Sequence, residues 1–172
     1  RMRLKTILNR VQPYKDFIYE SVRWGDGKKP KLEIRLRPRV NALPVCSTCR
    51  RPGPAYDHCS LRRFQFVPIW GIVVVFIYAM RRVECDRCGV TVECVPWAHG
   101  KSRLTTTFQW FLATWAKKLS WREVAKTFGT SWASVYRSVR MAVRWGLKHR
   151  VPAGLIAIGV DEILWLRGHH YL

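Results

Sequence analysis

Residues 46–49 read CSTC and residues 85–89 read CDRCG, two C-x2-C pairs separated by residues 50–84. A C-x2-C turn places two thiolates on one side of a tight loop, and two such turns complete a tetrahedral zinc site. Gly89, directly after the second pair, suits a turn position of positive φ. We therefore predict a closed structural zinc site with the ligands Cys46, Cys49, Cys85 and Cys88.

Disulfides or unrelated core cysteines are the alternatives for the six cysteines of the chain. Disulfides are disfavoured because the first 20 residues lack the apolar run of a secretory signal. Cys59 and Cys94 fall outside the pairs and are interpreted as small buried hydrophobes. Their roles, and that of His58, stay open at this stage.

The segment between the two pairs contains an apolar run, FVPIWGIVVVFIYAM at residues 66–80. Its β-branched residues predict two strands joined by a turn at Pro68–Gly71. A transmembrane helix is the alternative, and the run is too short for one. Upstream, the patterns predict a short helix at residues 4–11 and a hairpin of strands at 17–24 and 31–37. Residues 1–98 are thus predicted to form a small β-rich zinc ribbon.

After residue 105 the apolar period changes to that of helices, and residues 120–140 read SWREVAKTFGTSWASVYRSVR. Ser120 and Glu123 have the spacing of a capping box, and Gly129 ends the helix that they begin. A second N-cap at Thr130 or Ser131 starts a longer helix. We predict a helix-turn-helix domain at residues 99–150, in which Trp110, Trp115 and Trp121 belong to the core.

Positive charge is concentrated in this helical region. The chain has 31 Lys+Arg and 11 Asp+Glu, a formal net charge of +20, and residues 101–150 hold eleven basic residues and one acid. A polyanion is therefore the expected partner, with nucleic acid ahead of an anionic membrane or an acidic protein. An ordinary three-helix packing unit is the alternative. The predicted DNA contacts on the second helix, from base edges to phosphates, are Ser131, Ser134, Arg137, Arg140, Arg144 and Lys148.

A pair of acids follows the last apolar run of the chain. Residues 155–160 read LIAIGV, and Asp161 and Glu162 come next. A carboxylate at the end of a strand is a natural Mg²⁺ ligand, although a bare acidic pair is more often on the surface. The spacing alone leaves both interpretations open.

The order of these motifs resembles that of bacterial insertion-sequence transposases of the ISL-three type, from CSTC and CDRCG to the terminal IGVDEILWLRGHHYL. The resemblance implies an α+β fold: a β-rich zinc ribbon, a helix-turn-helix domain, and a C-terminal β-hairpin at residues 151–172 that begins an incomplete ribonuclease-H-like domain. It also implies that Asp161 is the first acid of a DDE triad, which binds Mg or Mn in the complete enzyme.

The sequence departs from the family pattern at two places. Arg50 stands where a glycine often follows the first cysteine pair, and the sequence ends at Leu172, eleven residues after Asp161. We therefore expect a fragment that recognises the terminal repeats of double-stranded DNA and is inactive as an enzyme by itself. It would be cytoplasmic, nucleoid-associated and homo-oligomeric in the complete transposase.

Two further functions fit the same motifs. One is a zinc-ribbon and helix-turn-helix transcriptional regulator without nuclease chemistry, and the other is a non-specific RNA-binding or structural protein. Sequence preference at physiological salt separates specific duplex binding from purely electrostatic binding.

Overall fold

The computed structural model of the protein describes residues 3–26 and 30–151, together with the backbone of residues 164–166 and 170–171. The fold is mixed α+β, as predicted. The elements in chain order are α1 (Leu4–Val11), β1 (Phe17–Trp24), β2 (Lys31–Pro38), β3 (Ala55–Ile69), β4 (Ile72–Cys85), β5 (Gly89–Val92), α2 (Thr106–Trp115), α3 (Trp121–Thr127), α4 (Trp132–Lys148), β6 (Leu164–Leu166) and β7 (His170–Tyr171). The predicted strand at residues 155–160, Asp161 and Glu162 lie outside the described residues.

One five-stranded sheet forms the N-terminal half. Its order is β1-β2-β4-β3, and β5 pairs with the far end of β4. The predicted hairpin of β1 and β2 is confirmed, with Phe17 opposite Pro38 and Trp24 opposite Leu32. β2 also runs parallel to β4, so that Ile34 lies opposite Phe76. This pairing joins the N-terminal hairpin to the strands that carry the cysteines.

The predicted turn in the apolar run is confirmed at Trp70–Gly71. Both residues have positive φ, 51° and 74°, and Ile69 pairs with Ile72 across the loop. Two left-handed residues match the right-handed twist of the two strands, which explains why this run folds into a hairpin. Pro68 is tolerated because β3 is an edge strand of the sheet.

A buried aromatic cluster forms the main core. Trp97 is 1% exposed, and its ring lies 4.8 Å from that of Phe17 and 5.3 Å from those of Tyr14 and Tyr78. Aromatic pairs at these spacings each add about 0.5–1.5 kcal/mol beyond their burial. Trp97 therefore ties the segment that follows β5 to the sheet.

A second core lies between the helices, formed by buried residues of α2, α3 and α4 with Leu104. Val67 of β3 packs against both cores, and Gln65 Nε2 donates to Phe128 O and Gly129 O at 3.3 and 3.2 Å. The chain divides into two compact units, Arg1–Ala142 and Val143–Leu172. The sheet and the helical core contact each other directly through Val67 and Gln65. The predicted domain boundaries at residues 98 and 150 therefore stay predictions.

The second unit is small. Trp145 stacks on His149 with 4.2 Å between the ring centroids, and β6 pairs with β7 in an antiparallel hairpin. A relation of this hairpin to a ribonuclease-H-like domain stays a prediction. In the part of the chain that the structure describes, no helix is both long and apolar enough to span a bilayer.

Candidate metal centre and nucleic-acid interface

The four predicted cysteines converge. The sulfur atoms of Cys46, Cys49, Cys85 and Cys88 all lie within 4.8 Å of one another, and the Sγ atoms of Cys49 and Cys85 are 3.5 Å apart. In a tetrahedral site with Zn–S bonds of about 2.3 Å, sulfurs are about 3.8 Å apart. The donor set therefore fits a divalent ion such as zinc. Four thiolate ligands would leave no open coordination position, which is typical of structural rather than catalytic zinc sites.

The two cysteine turns end in the same backbone conformation. Each ends in a left-handed residue directly after the second cysteine, Arg50 with φ 62° and Gly89 with φ 69°. The departure noted at Arg50 thus leaves the geometry unchanged, since arginine adopts the conformation that glycine favours. Such a conformation costs a non-glycine residue about 1–2 kcal/mol. The Arg50 guanidinium donates a hydrogen bond to Cys94 Sγ.

Strand β5 and the residues after it bring the second turn back over the first. The amide of Cys94 donates to Val45 O at 2.7 Å, and that of Ser47 donates to Val92 O at 3.2 Å. The hydroxyl of Thr91 lies 3.2 Å from Cys46 Sγ. These contacts hold the first pair against β5, although it is distant from the second pair in sequence.

The thiols have opposite protonation tendencies. The pKa of Cys46 is lowered to about 6, first by its hydrogen bond with the Thr91 hydroxyl and then by the backbone amide of Cys49. The pKa of Cys88 is raised to about 12, first by burial and then by the neighbouring cysteines. Four thiolates in this space repel one another, and a bound cation would offset that repulsion.

The remaining candidates lie outside the cluster. Cys59 is half-buried and packs against the sheet core, which agrees with a small hydrophobic role. Cys94 is half-buried beside Arg50, and His58 is exposed on β3. Among the described residues, the four-sulfur cluster is the group that could hold a metal ion.

Helix α3 has the predicted capping chemistry at its N-terminus. The amide of Ser120 donates to Glu123 Oε2 at 2.9 Å, and the amide of Glu123 donates to Ser120 Oγ at 3.3 Å. These hydrogen bonds lower the pKa of Glu123. At the other end of α3, Gly129 has φ 59° and the Thr130 amide donates to Ala125 O at 2.9 Å, a Schellman motif. Both ends of α3 are therefore defined locally.

Replacing Gly129 with alanine should lower the free energy of unfolding by about 1–2 kcal/mol, because alanine is strained at positive φ. The added Cβ would lie 3.6 Å from Val73 Cγ2, an ordinary contact, so strain alone is tested. The matched control is Gly146→Ala in α4, where nothing lies within 4 Å of the new Cβ. Helix propensity predicts that this control stabilises by about 0.5–1 kcal/mol. Urea unfolding monitored by circular dichroism measures both, and equal effects would contradict the turn assignment.

The predicted DNA-contacting residues of α4 differ in exposure. Ser131 caps the helix, since its Oγ accepts from the Ser134 amide at 3.2 Å. Ser134 is only 8% exposed, and its hydroxyl lies 2.9 Å from that of Ser131. Arg137 is exposed, with one guanidinium nitrogen 3.5 Å from Ser134 Oγ. Arg140, Arg144 and Lys148 are exposed as well.

Several tryptophans lie at the edge of the helical core. Trp110 and Trp115 are 37% and 38% exposed, and Trp121 is half-buried. The prediction that all three belong to the core is wrong for Trp110 and Trp115, and it agrees with Trp121, which packs against the helical core. Trp121 also contacts the rings of the more exposed Trp132 and Tyr136. The rings of Trp132 and Tyr136 stack with 5.7 Å between their centroids. The sequence analysis did not predict this contact, although the two residues are one helical turn apart, the spacing at which helical side chains meet.

Comparison with known proteins finds relatives among insertion-sequence transposases. The chain is 31% identical, in an alignment 170 positions long that covers 91% of the chain, to the transposase for insertion sequence element IS1557 of Mycobacterium tuberculosis. By sequence, the chain is related to insertion-sequence transposases. The transposase for IS1001 of Bordetella parapertussis is 21% identical over 97% of the chain. No protein-family model and no solved structure matches the chain significantly.

The similarity extends over most of the chain, 91% of it in the comparison with the IS1557 transposase. The chain spans about a third of the length of these relatives, 35% of the IS1557 transposase and 41% of the IS1001 transposase. Both relatives are named transposases, so the alternative of a transcriptional regulator is not favoured.

Proposed function

We propose that this chain is the DNA-recognition part of an ISL-three-type transposase and binds the terminal repeats of its element as duplex DNA. The 31% identity to the IS1557 transposase over 91% of the chain carries this proposal. A capped helix-turn-helix with an exposed basic second helix supports it, because such a helix fits the major groove.

In this proposal the four-cysteine cluster binds zinc, and the zinc stabilises the fold. The metal would join the first cysteine turn to the end of the sheet, where Cys85 ends β4. A small β-rich unit gains its folding free energy from such a metal. DNA binding by the helices then depends on zinc indirectly, through the sheet against which they pack.

In this proposal the N-terminal part of α4 contacts bases and the part that follows contacts phosphates. Arg137 is the candidate for base contact, since the burial of Ser134 leaves that hydroxyl engaged with Ser131. Guanidinium groups bind guanine O6 and N7 in a bidentate manner. Arg140, Arg144 and Lys148 recur at intervals of four residues and serve as phosphate contacts.

The complete transposase is proposed to be a homo-oligomer that acts on DNA in the bacterial cytoplasm, in association with the nucleoid. Its catalytic domain would hold Mg or Mn through Asp161 and further acids, and the metal would activate the attacking oxygen. A single acid cannot assemble such a site, so the chain alone should bind DNA without cutting it. Metal-dependent strand cleavage by the chain alone would contradict this part of the proposal.

Replacing Arg137 with alanine should reduce the preference for terminal-repeat DNA over shuffled DNA by about 1–3 kcal/mol, the value of one bidentate base contact. Fluorescence anisotropy with both duplexes measures the ratio of dissociation constants. The matched control, Arg140→Ala, should weaken binding to both duplexes equally, because a phosphate contact is independent of sequence. A uniform loss in the Arg137 variant would instead make that residue a phosphate contact.

A further inference from the structure

Three neighbouring cavities on the first unit share basic residues at their borders. A cavity of about 530 Å³ lies between the segment before α2 and the N-terminal part of α4. Lys101 also lines a second cavity beside the first cysteine pair, and Arg103 lines a third beside β3. Arg62 lines both the second and the third. Basic side chains therefore form a continuous track from the cysteine turns to α4.

The first of these cavities has the chemistry of an anion site. The cations at its wall are Lys101, Arg103 and Arg137, and no carboxylate lines it. Its other polar groups are the hydroxyls of Ser102 and Ser134 and the amide of Gln109. The Ser102 hydroxyl donates to Leu104 O at 2.9 Å, and the Ser134 hydroxyl lies 2.9 Å from that of Ser131. The side chains of Lys101 and Arg103 are therefore the donors best placed to hold phosphate oxygens, as such side chains do in protein–DNA interfaces.

The segment that carries Lys101 and Arg103 is held firmly on the sheet. The amide of Gln65 donates to Arg103 O at 2.8 Å, and the amide of Thr105 donates to Gln65 O at 2.9 Å. Arg62 Nη2 donates to Gly100 O and Ser102 O at 3.0 and 2.9 Å. The backbone thus presents the two cations in a defined place, which reduces the entropy lost on binding.

The three cations around the first cavity, Lys101, Arg103 and Arg137, have no carboxylate partner in the described part of the chain. Burial and the nearby positive charge of Arg103 lower the pKa of Arg62. Like charges gathered around an acid-free cavity repel one another, and a bound anion relieves that repulsion.

We propose that Lys101 and Arg103, which face Arg137 across the cavity, bind backbone phosphates of the duplex that α4 enters. This inference rests on the proposed function, which supplies the DNA, and adds the cavity as a backbone clamp beside the recognition helix. The clamp fixes the register of α4 on the duplex without reading sequence.

The test compares two double variants that each lose two positive charges. Lys101→Ala with Arg103→Ala removes the clamp, while Arg10→Ala with Lys15→Ala removes two exposed charges that line none of the three cavities. DNA affinity is measured over a range of salt concentrations with terminal-repeat and shuffled duplexes. Zinc content and circular dichroism establish that each variant is folded.

The clamp variant should bind both duplexes roughly tenfold more weakly or worse, and its log–log salt slope should fall by about two. The control should lose less than one unit of slope. Equal slopes and affinities in the two variants would overturn the clamp. If the alanine variant fails to fold, Lys101→Gln with Arg103→Gln removes the same charges while keeping polar side chains, and the same slope loss is expected.

Two further results separate this inference from the proposed function. Loss of slope in the clamp variant without any terminal-repeat preference in the wild-type chain would reject the proposed function and retain the clamp. Titration with inorganic phosphate alone distinguishes a free-anion site. If phosphate binding depends on Lys101 and Arg103 but the DNA salt slope does not, the clamp is overturned.

Discussion

Replacing Cys85 with serine is expected to release the metal and to abolish cooperative folding of the sheet. Cys85 is 8% exposed and ends β4, so it joins the longest paired strands of the sheet to the cluster. Structural zinc supplies roughly 10–16 kcal/mol of apparent binding free energy at neutral pH, more than the whole stability of most small domains. Metal analysis and near-ultraviolet circular dichroism measure the two losses.

The matched control is Cys59→Ser. Cys59 is half-buried on β3, carries the same chemical change and lies outside the cluster. It should keep its zinc and lose little stability. If the Cys85 variant retained both metal and fold, the assignment of the cluster as a structural zinc site would be wrong.

The second large effect is expected at Glu93, which is 2% exposed beside the first cysteine turn. Its Oε1 accepts from the Tyr78 hydroxyl at 2.6 Å and from the Arg81 amide at 2.7 Å, and its Oε2 accepts from Arg81 Nε at 2.9 Å. Arg81 also donates to Ala42 O at 2.7 Å. This network fixes the chain that leads into Cys46.

Glu93→Ala should therefore destabilise the protein by about 3–5 kcal/mol, because it leaves the Arg81 guanidinium buried without its counter-ion. Urea unfolding of the zinc-loaded protein measures this change. The control is Asp57→Ala, which breaks the more exposed pair with Arg82 and should cost at most about 1 kcal/mol. Similar losses in the two variants would show that the Glu93 network is not what holds this region.

Much of the fold follows from local patterns in the sequence. The two C-x2-C turns, the Ser120 and Glu123 capping box and the Trp70–Gly71 hairpin each depend on residues close together in the chain. In these cases the chemistry of a turn or cap selects one backbone conformation. The structure agrees with the predicted elements there, often to the residue.

What the sequence could not provide depends on long-range packing. The parallel pairing of β2 with β4 joins two segments that are far apart in the sequence, and no local pattern predicts it. Trp97 is the centre of the aromatic core, yet no periodic pattern surrounds it. The Arg81–Glu93 pair likewise forms only once β5 returns along β4, because twelve residues separate the two charges.

At the candidate site, too, some features follow from local sequence patterns and others depend on long-range packing. Helical spacing predicts that Arg137 is exposed, as the structure shows, whereas the burial of Ser134 depends on packing that the spacing does not indicate. Lys101 and Arg103 were counted only as part of the net charge. Their position opposite α4 results from the hydrogen bonds of Gln65 and Arg62, which no sequence pattern indicates.

Competition binding at physiological salt tests the central proposal most directly. The zinc-loaded chain is bound to a labelled duplex from the end of the genetic element that encodes it, and unlabelled terminal-repeat and shuffled duplexes compete. We expect the terminal repeat to compete roughly a thousandfold better or more, as sequence-specific proteins do. Equal competition by the two duplexes, with binding that disappears as salt rises, would contradict recognition of element ends.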